Sequence, residues 1–397
     1  MSPVDVDPER IRIPRDREND YTREAAEQRR TFVRERTGVA LEHVGSYSFD
    51  PSILPGNIEH FSGVAQVPIG LAGPLRIDGE HAKGTFYVPL ATTEGTLVAS
   101  YNRGMRLLSE CGGVKTTVVD RRMQRAPVFV CEDARVARDL GAWLEEHFSE
   151  IKEVAESTTK VGKLIDIGQY PAGCNRFLRF NFNTGDAAGQ NMSSKATFAA
   201  CEWIVSRFPG KVRYFLSGGM DTDKKHSQIN TLLTRGRRVV AEATIKPDVL
   251  KRLTGVVPQQ LFEYRQIAAA GGFMANAAYN SAHAANGLTA LFIATGQDVA
   301  NVSESHAGIS YAQLLPNGDY YWSITLPALI VGTFGGGTAL PTQRECLEVL
   351  GCRGEGTADK LAEICAAVVL AGDISLTCAI LHGDWVSSHD QYGRNRK

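Results

Sequence analysis

Hydrophobic and polar positions along this chain change period several times, and each change predicts an element. Residues 1–50 are polar and charge-dense, broken by Pro8 and Pro14, with an exposed helix expected over 21–36. Apolar content rises after Ser52. Residues 64–69 and 85–90 are expected strands around the turn-rich Gly70-Leu71-Ala72-Gly73-Pro74. Glu94 is expected to open a helix, because Leu97, Val98, Tyr101, Met105 and Leu108 recur at helical spacing until Cys111-Gly112-Gly113 stops them.

The middle of the chain has a readable order. Residues 127–131 form a strand and 133–156 one helix. Strands follow at 163–169 and 174–183, where Leu178, Phe180 and Phe182 alternate with Arg179, Asn181 and Asn183. A helix over 192–208 and a strand over 212–216 complete a β-α-β-β-α-β, ferredoxin-like arrangement. Strands at 237–245 and 320–326, an Ala-rich helix at 281–295 ended by Gly296, and a long helix at 359–381 come after it. The expected fold class is α+β. A large mixed α/β domain (61–126 and 216–397) carries the small domain (127–215) as an insertion, behind an N-terminal helical extension (1–60).

Composition narrows the function classes. The 397 residues are 43% hydrophobic and 22% charged, as in a globular chain. Lys and Arg total 43 against 44 Asp and Glu, so a nucleic-acid partner is disfavoured and any anionic ligand must be met by local basic clusters. None of the eight cysteines has Cys-x-x-Cys spacing, which argues against a zinc or redox site and for free thiols in a reducing, cytoplasmic setting. Residues 1–36 lack the apolar core of a signal peptide. The one candidate span, 364–381, is Ala-rich and contains Gly372 and Asp373, so it reads as a buried helix and no membrane is expected.

No Gly-x-Gly-x-x-Gly stands at a strand-to-helix junction, and neither a phosphate loop nor His-Glu-x-x-His is present. The remaining signals are individually weak. Glu94, at a strand-to-helix junction among apolar residues, is either a partly desolvated proton donor or a simple helix-start acid. Asp186-Ala187-Ala188-Gly189-Gln190-Asn191-Met192 precedes a helix; its small residues suit a pyrophosphate, and an ordinary capped turn fits equally. Lys224 and Lys225 end the connector 217–225, placed for an oxyanion or carboxylate, or solvated as most lysine pairs are. Asp298 follows the C-terminus of an apolar helix, where its charge calls for a compensating cation unless it is a plain turn residue. The run Gly335-Gly336-Gly337 suits close ligand approach or a mere loop. His389 lies in a polar tail, where a lone histidine is usually inert.

Their joint order is more specific. Val67-Pro68-Ile69-Gly70-Leu71-Ala72-Gly73-Pro74-Leu75, residues 91–95, Ser100-Tyr101-Asn102-Arg103-Gly104, residues 186–192, residues 222–225, His283-Ala284-Ala285-Asn286, residues 296–298 and residues 335–337 occur in sequence. In this the chain resembles the catalytic portion of 3-hydroxy-3-methylglutaryl-coenzyme A (HMG-CoA) reductases, over about four-fifths of its length. The Asn191-Met192-Ser193-Ser194-Lys195 loop resembles the NADPH-type, class I-like branch, in a soluble bacterial-type form.

The resemblance implies four-electron reduction of HMG-CoA to mevalonate with two NADPH and no metal. It implies Lys224 as oxyanion stabiliser, His389 as donor to the thiolate, Glu94 as acid for the aldehyde step, and Asp298 as the carboxylate joining Glu94 to the lysine. It implies acyl contacts from Arg125, Ser217, Asp223, Lys225 and Asn286, and CoA contacts from Asn102 and Arg103. Cofactor contacts fall to Asp186, Gly189, Asn191, Met192 and the 335–337 glycines, with Thr159 and Lys160 near the 2′-phosphate. A homodimer or homotetramer with shared active sites is implied. The chain departs from the family at His60, Ala188, Gln190 and Gly219. It has Arg265 and Gln266 where an active-site lysine is expected upstream of His283, which leaves room for a different branched acyl-CoA. A catalytically inactive CoA- or nucleotide-binding homologue is the other-class alternative.

Overall fold

Thr22 accepts the Ala25 amide and so caps α1 (Arg23–Thr37), which Gly38 closes in the left-handed conformation. The coordinates are a computed structural model and describe residues 12–383. Contrary to the expected exposed helix, α1 buries Ala25, Ala26, Arg29 and Arg30. Arg29 lies inside because it donates to the carbonyls of Pro14, Asp20 and Phe61, and Ala26 packs with Leu54 and Phe61. These residues belong to a compact unit that runs to Pro68 and includes Ala339–Pro341; a second unit covers Ile69–Thr338 and continues from Thr342.

The second unit begins with the hairpin β1 (Ile69–Gly79) and β2 (Lys83–Ala91). Residues 64–68 are irregular, and β1 runs through the stretch expected to turn, because a register shift between Ala72 and Leu75 absorbs one extra residue. α2 (Leu97–Glu110) starts after Thr96, whose φ of 74° breaks the chain direction, so Glu94 stands in the turn before the helix. β3 (Val114–Arg125) and β4 (Val128–Cys131) follow. The single helix expected over 133–156 is two, α3 (Ala134–Glu146) and α4 (Phe148–Glu156). His147 separates them; its ring lies 4.2 Å from that of Trp143 and its Nδ1 bonds the Trp143 carbonyl.

β5 (Lys163–Ala172), β6 (Asn175–Asn183), α5 (Gln190–Arg207) and β7 (Val212–Phe215) complete the ferredoxin-like order, with strands side by side as β7-β4-β6-β5. Leu178, Phe180 and Phe182 fill its core with Leu140, Leu144 and Ile204. Arg179 and Asn181, on the opposite face of β6, are buried too, so that face is covered rather than solvated. Next come α6 (Gln228–Leu233), β8 (Gly236–Ile245), α7 (Pro247–Thr254), α8 (Pro258–Met274), α9 (Ala284–Thr295), α10 (Val302–Ser305), β9 (Ile309–Leu314), β10 (Tyr320–Leu329), α11 (Pro341–Val349) and α12 (Thr357–His382). β3 joins the two halves: Lys115–Arg122 pairs with β8, and Met123–Arg125 pairs with β6. One path of strands therefore runs β7-β4-β6-β3-β8-β10-β9.

α12 is long and apolar enough to cross a membrane, yet 83% of its apolar window is buried inside the protein. It packs on α2 so closely that a Cβ on Gly104 would stand 1.9 Å from the Ala371 carbonyl oxygen, and one on Gly372 would enter the Tyr101 ring. All eight cysteines are free.

Candidate active site

Gly296, at φ 71°, ends α9, and two residues later Asp298 caps a short 3-10 turn (Val299–Asn301) by accepting the Ala300 amide. An acid at the negative end of a helix needs a cation, and one is present: Lys224 Nζ lies 2.9 Å from Asp298 Oδ2. The two side chains are 43% and 45% exposed, so the pair opens to solvent and to ligand. The hydrogen bond to Asp298 holds the ammonium charged and lifts the Lys224 pKa above the ordinary lysine value, against a smaller opposing effect of burial.

The loop carrying Lys224 is built from its neighbours. Ser217 Oγ donates to Asp221 Oδ2 at 2.8 Å, and Arg125 Nη1 lies 3.4 Å from the same oxygen. Asp223 Oδ1 accepts from Arg235 Nη2 at 2.9 Å and from Gln190 Nε2 at 3.2 Å. Lys225 is exposed, and its ammonium donates to the Asp223 carbonyl at 3.0 Å. Arg125, Ser217, Asp223, Lys224 and Lys225 thus share one loop and its base.

Glu94 takes a hydrogen bond from Asn286 Nδ2 at 2.8 Å, from the first turn of α9. It is exposed, not partly desolvated as its apolar sequence surroundings imply, because the turn before α2 lifts it off the sheet. Among the described residues no hydrogen bond joins Glu94 to Lys224 or Asp298. His283, just before α9, is buried and stacked on Tyr101 with ring centroids 4.9 Å apart; burial pushes its imidazole pKa down. Asn102 Oδ1 accepts the Gly73 amide at 2.9 Å, and Arg103 bonds the hydroxyl and carbonyl of Ser375. Arg103 also borders a cavity of about 260 Å³ with Arg252, Thr254 and Cys378. Arg265 donates to the carbonyls of Asn280 and Ser310.

The glycine-rich segments gather beside Asp298. Gly189, at φ 86°, begins α5. Ala187 pairs with Phe334, and a Cβ on Gly296 would meet the Gly337 carbonyl oxygen at 2.4 Å. Gly335 and Gly336 have positive φ and open space where a Cβ would stand, so a flat or phosphorylated ligand can approach their backbone. Asp186 faces elsewhere: its two carboxylate oxygens accept the Gly356 and Ala358 amides, 2.7 and 3.0 Å away, and cap α12. Asn191 is exposed, and Met192 packs on the ferredoxin-like core. Thr159 Oγ1 accepts the Val161 and Gly162 amides in the turn between α4 and β5, where Lys160 is exposed. His389 lies outside the described residues.

Sequence reasoning missed Arg235 and Glu304, a buried pair 2.5 Å apart beneath Lys224. Arg235 belongs to a basic run that reads as surface, and its partner is 69 positions away, so no local pattern connects them.

The architecture has solved counterparts. Two solved structures of similar fold are 3-hydroxy-3-methylglutaryl-CoA reductases of Streptococcus pneumoniae. The first, a class II enzyme bound to NADPH, has a TM-score of 0.68 at 20% identity, covering 83% of this chain and 89% of that one. The second has a TM-score of 0.65 at 20% identity, covering 81% and 86%. Sequence then fixes the family. The model of the hydroxymethylglutaryl-coenzyme A reductase family matches residues 25–394. The chain is 45% identical to 3-hydroxy-3-methylglutaryl-coenzyme A reductase of Pyrococcus horikoshii, over 95% of this chain and 93% of that protein. To the Methanocaldococcus jannaschii enzyme of that name it is 42% identical, over 93% of each. The chain belongs to the hydroxymethylglutaryl-coenzyme A reductase family and is an oxidoreductase acting on HMG-CoA.

Proposed function

We propose that this chain reduces HMG-CoA to mevalonate and CoA with NADPH, using Lys224, Asp298, Glu94 and His389. The observation that carries the residue roles is the Lys224–Asp298 contact of 2.9 Å, a charged donor held at the lip of an open, glycine-lined site. The open approach to Gly335 and Gly336, beside the Gly189 turn, fits a dinucleotide. When bound, NADPH supplies the hydride for each of the two reductions.

The chain's own groups handle charge and protons. The Lys224 ammonium faces the thioester oxygen and stabilises the oxyanion that forms there, a contribution of about 10²–10³ in rate. Asp298 keeps that ammonium protonated and aimed. His389 protonates the departing CoA thiolate, whose ordinary pKa is about 8.5, so that it leaves as a thiol. Glu94, oriented by Asn286, donates a proton to the aldehyde oxygen as it becomes an alcohol. Arg125, Ser217, Asp223, Lys225 and Asn286 bind the acyl group, and Asn102 and Arg103 bind CoA. Asp186 acts on the cofactor site from behind, by fixing the 184–189 turn to the start of α12.

In this reading residues 127–215 bind NADPH, with Lys160 neutralising the 2′-phosphate. Residues 61–126 and 216–397 bind substrate and dimerise, and 1–60 are an N-terminal helical extension. The enzyme is a cytoplasmic homodimer or homotetramer of the NADPH-type, class I-like branch. A second reading, a different branched acyl-CoA, is favoured by Arg265, whose guanidinium is engaged by backbone carbonyls where the family's lysine is expected. The test is NADPH oxidation by the purified protein with HMG-CoA, with mevalonate measured as product. Turnover with another branched acyl-CoA and none with HMG-CoA would replace the first reading by the second. His389→Gln is expected to lose most activity with HMG-CoA and keep reduction of mevaldehyde in the presence of CoA.

A further inference from the structure

Beneath the Lys224 loop lies a pair of charges the proposed chemistry does not use. Arg235 and Glu304 have side chains only 1% and 0% exposed. Glu304 Oε1 accepts Arg235 Nη1 at 2.5 Å and also the backbone amide of Lys224 at 2.5 Å. Its Oε2 meets Asn230 Nδ2 at 3.4 Å, and Asn230 in turn donates to Thr222 Oγ1 at 2.8 Å. A buried ion pair adds little stability over an apolar pair of the same size, because desolvation offsets the attraction. What this pair adds is a grip on Lys224. That residue has φ 57°, a left-handed conformation that a residue bearing Cβ adopts only against steric strain and so must be held in. One short segment therefore holds both ends of the lysine: Asp298 takes its ammonium, and Glu304, six positions on, takes its amide. The other arm of Arg235 binds Asp223 Oδ1, which also accepts from Gln190 at the start of α5.

We propose that Glu304, with Arg235, is a positioning residue that fixes the backbone of Lys224 and thereby sets where its ammonium meets the substrate oxygen. The proposal rests on the reading of Lys224 as oxyanion stabiliser. It requires the reach of Glu304 more than its charge, which separates it from a role in neutralising Arg235.

Two variants of the full chain divide these roles. Glu304→Gln keeps the reach: the amide oxygen accepts both Lys224 N–H and Arg235, and the amide nitrogen gives up only the long 3.4 Å contact that Oε2 accepts from Asn230 Nδ2. Glu304→Asp keeps the charge but is one methylene too short for the Lys224 amide. For each, kcat, KM for NADPH and the thermal midpoint are measured, with Lys224→Ala as reference. The Gln variant is expected within about 5-fold of wild-type kcat, and the Asp variant about 10²-fold lower, the usual effect of displacing a catalytic group by 1 Å, with KM for NADPH unchanged. The reverse order, equal loss in both, wild-type kcat in the Asp variant, or a rise in its KM for NADPH would overturn the proposal. Near-wild-type turnover in Lys224→Ala would retire the reading of Lys224 itself. An inactive Lys224→Ala beside a fully active Glu304→Asp would retire the positioning role alone.

Discussion

The interior of α12 and the rim around Lys224 use carboxylates in opposite ways. Within the helix, Glu363 accepts the amides of Glu80, His81 and Ala82, and Asp373 Oδ1 accepts the Ser281 hydroxyl and the amides of Ala282 and His283. Both are fully buried. At the rim, Asp298 holds one ammonium and one amide, and Glu94 takes one side-chain donor. The buried acids have several donors each and serve to shape two turns. The rim acids keep lone pairs open to a ligand. Glu80, His81 and Glu363 lie close enough to hold a metal, but the Glu363 oxygens are already occupied by amides, which makes the cluster a turn anchor. Chemistry is left to acids open to solvent and ligand, and architecture to acids sealed in the core, where Glu363 has both oxygens engaged and Asp373 engages Oδ1 while its buried Oδ2 has no partner among the described residues.

The sharpest test of this division is at Lys224. Lys224→Ala should lower kcat by about 10²–10³ while leaving the thermal midpoint nearly unchanged, because the ion pair it removes is half-exposed and worth roughly 0–1 kcal/mol. Steady-state kinetics beside a melting curve read both at once. A large drop in midpoint with little loss of turnover would invert the comparison.

Glu363→Ala should show the opposite signature. It leaves the amides of Glu80, His81 and Ala82 without their acceptor in the β1–β2 turn, at about 1–3 kcal/mol for each group that water cannot reach. Denaturant unfolding should record the loss, and kcat of the folded fraction should stay near wild type.

Asp373 sharpens the comparison through pH. Burial pushes its pKa up to about 6, against the hydrogen bonds from His283, Ser281 and Ala282 that pull it down. An acid whose pKa is raised on folding binds more protons in the native than in the unfolded state between the two values. Stability from this group therefore falls as pH rises from about 4 to 6, by up to about 3 kcal/mol, and stays lower above that. Asp373→Asn, which keeps the acceptor oxygen, should flatten that limb and raise the thermal midpoint at pH 8. An unchanged pH dependence of unfolding would show that Asp373 does not titrate there.

The smallest expected effect is at the cofactor. Lys160→Glu should narrow or reverse the preference for NADPH over NADH in kcat/KM, with little change in stability, since Lys160 is exposed. Equal kcat/KM for the two cofactors in the wild type would remove the role given to Lys160.

Much of this molecule was legible in the chain because its signals are local. Alternation in 175–183 marks β6, the spacing of Leu97, Tyr101, Met105 and Leu108 marks α2, and the order of strands and helices from 127 to 216 marks the ferredoxin-like segment. The family motifs are short runs readable one at a time, and two of them, ending at Lys224 and Asp298, proved to stand 2.9 Å apart. Two readings that the chain left open are informative. Glu94 fitted either a sheltered donor or a helix-start acid, and φ 74° at Thr96 turns the chain outward. The Asp186 turn suited a pyrophosphate or an ordinary cap equally, and the start of α12 lies within reach of its carboxylate.

By itself the sequence determined the α+β class, the strand-and-helix order of the segment from 127 to 216 and the family, since each depends on residues near one another in the chain. Only the tertiary structure decided that both faces of β6 are covered, that α12 buries Glu363 and Asp373 on waiting amides, and that Glu304 reaches Arg235 and the Lys224 amide. A hydrophobic period reports which face of an element seeks cover, but not what will cover it. A charge reports that a partner is needed, but not which partner, and for Glu304 that partner lies 69 positions away.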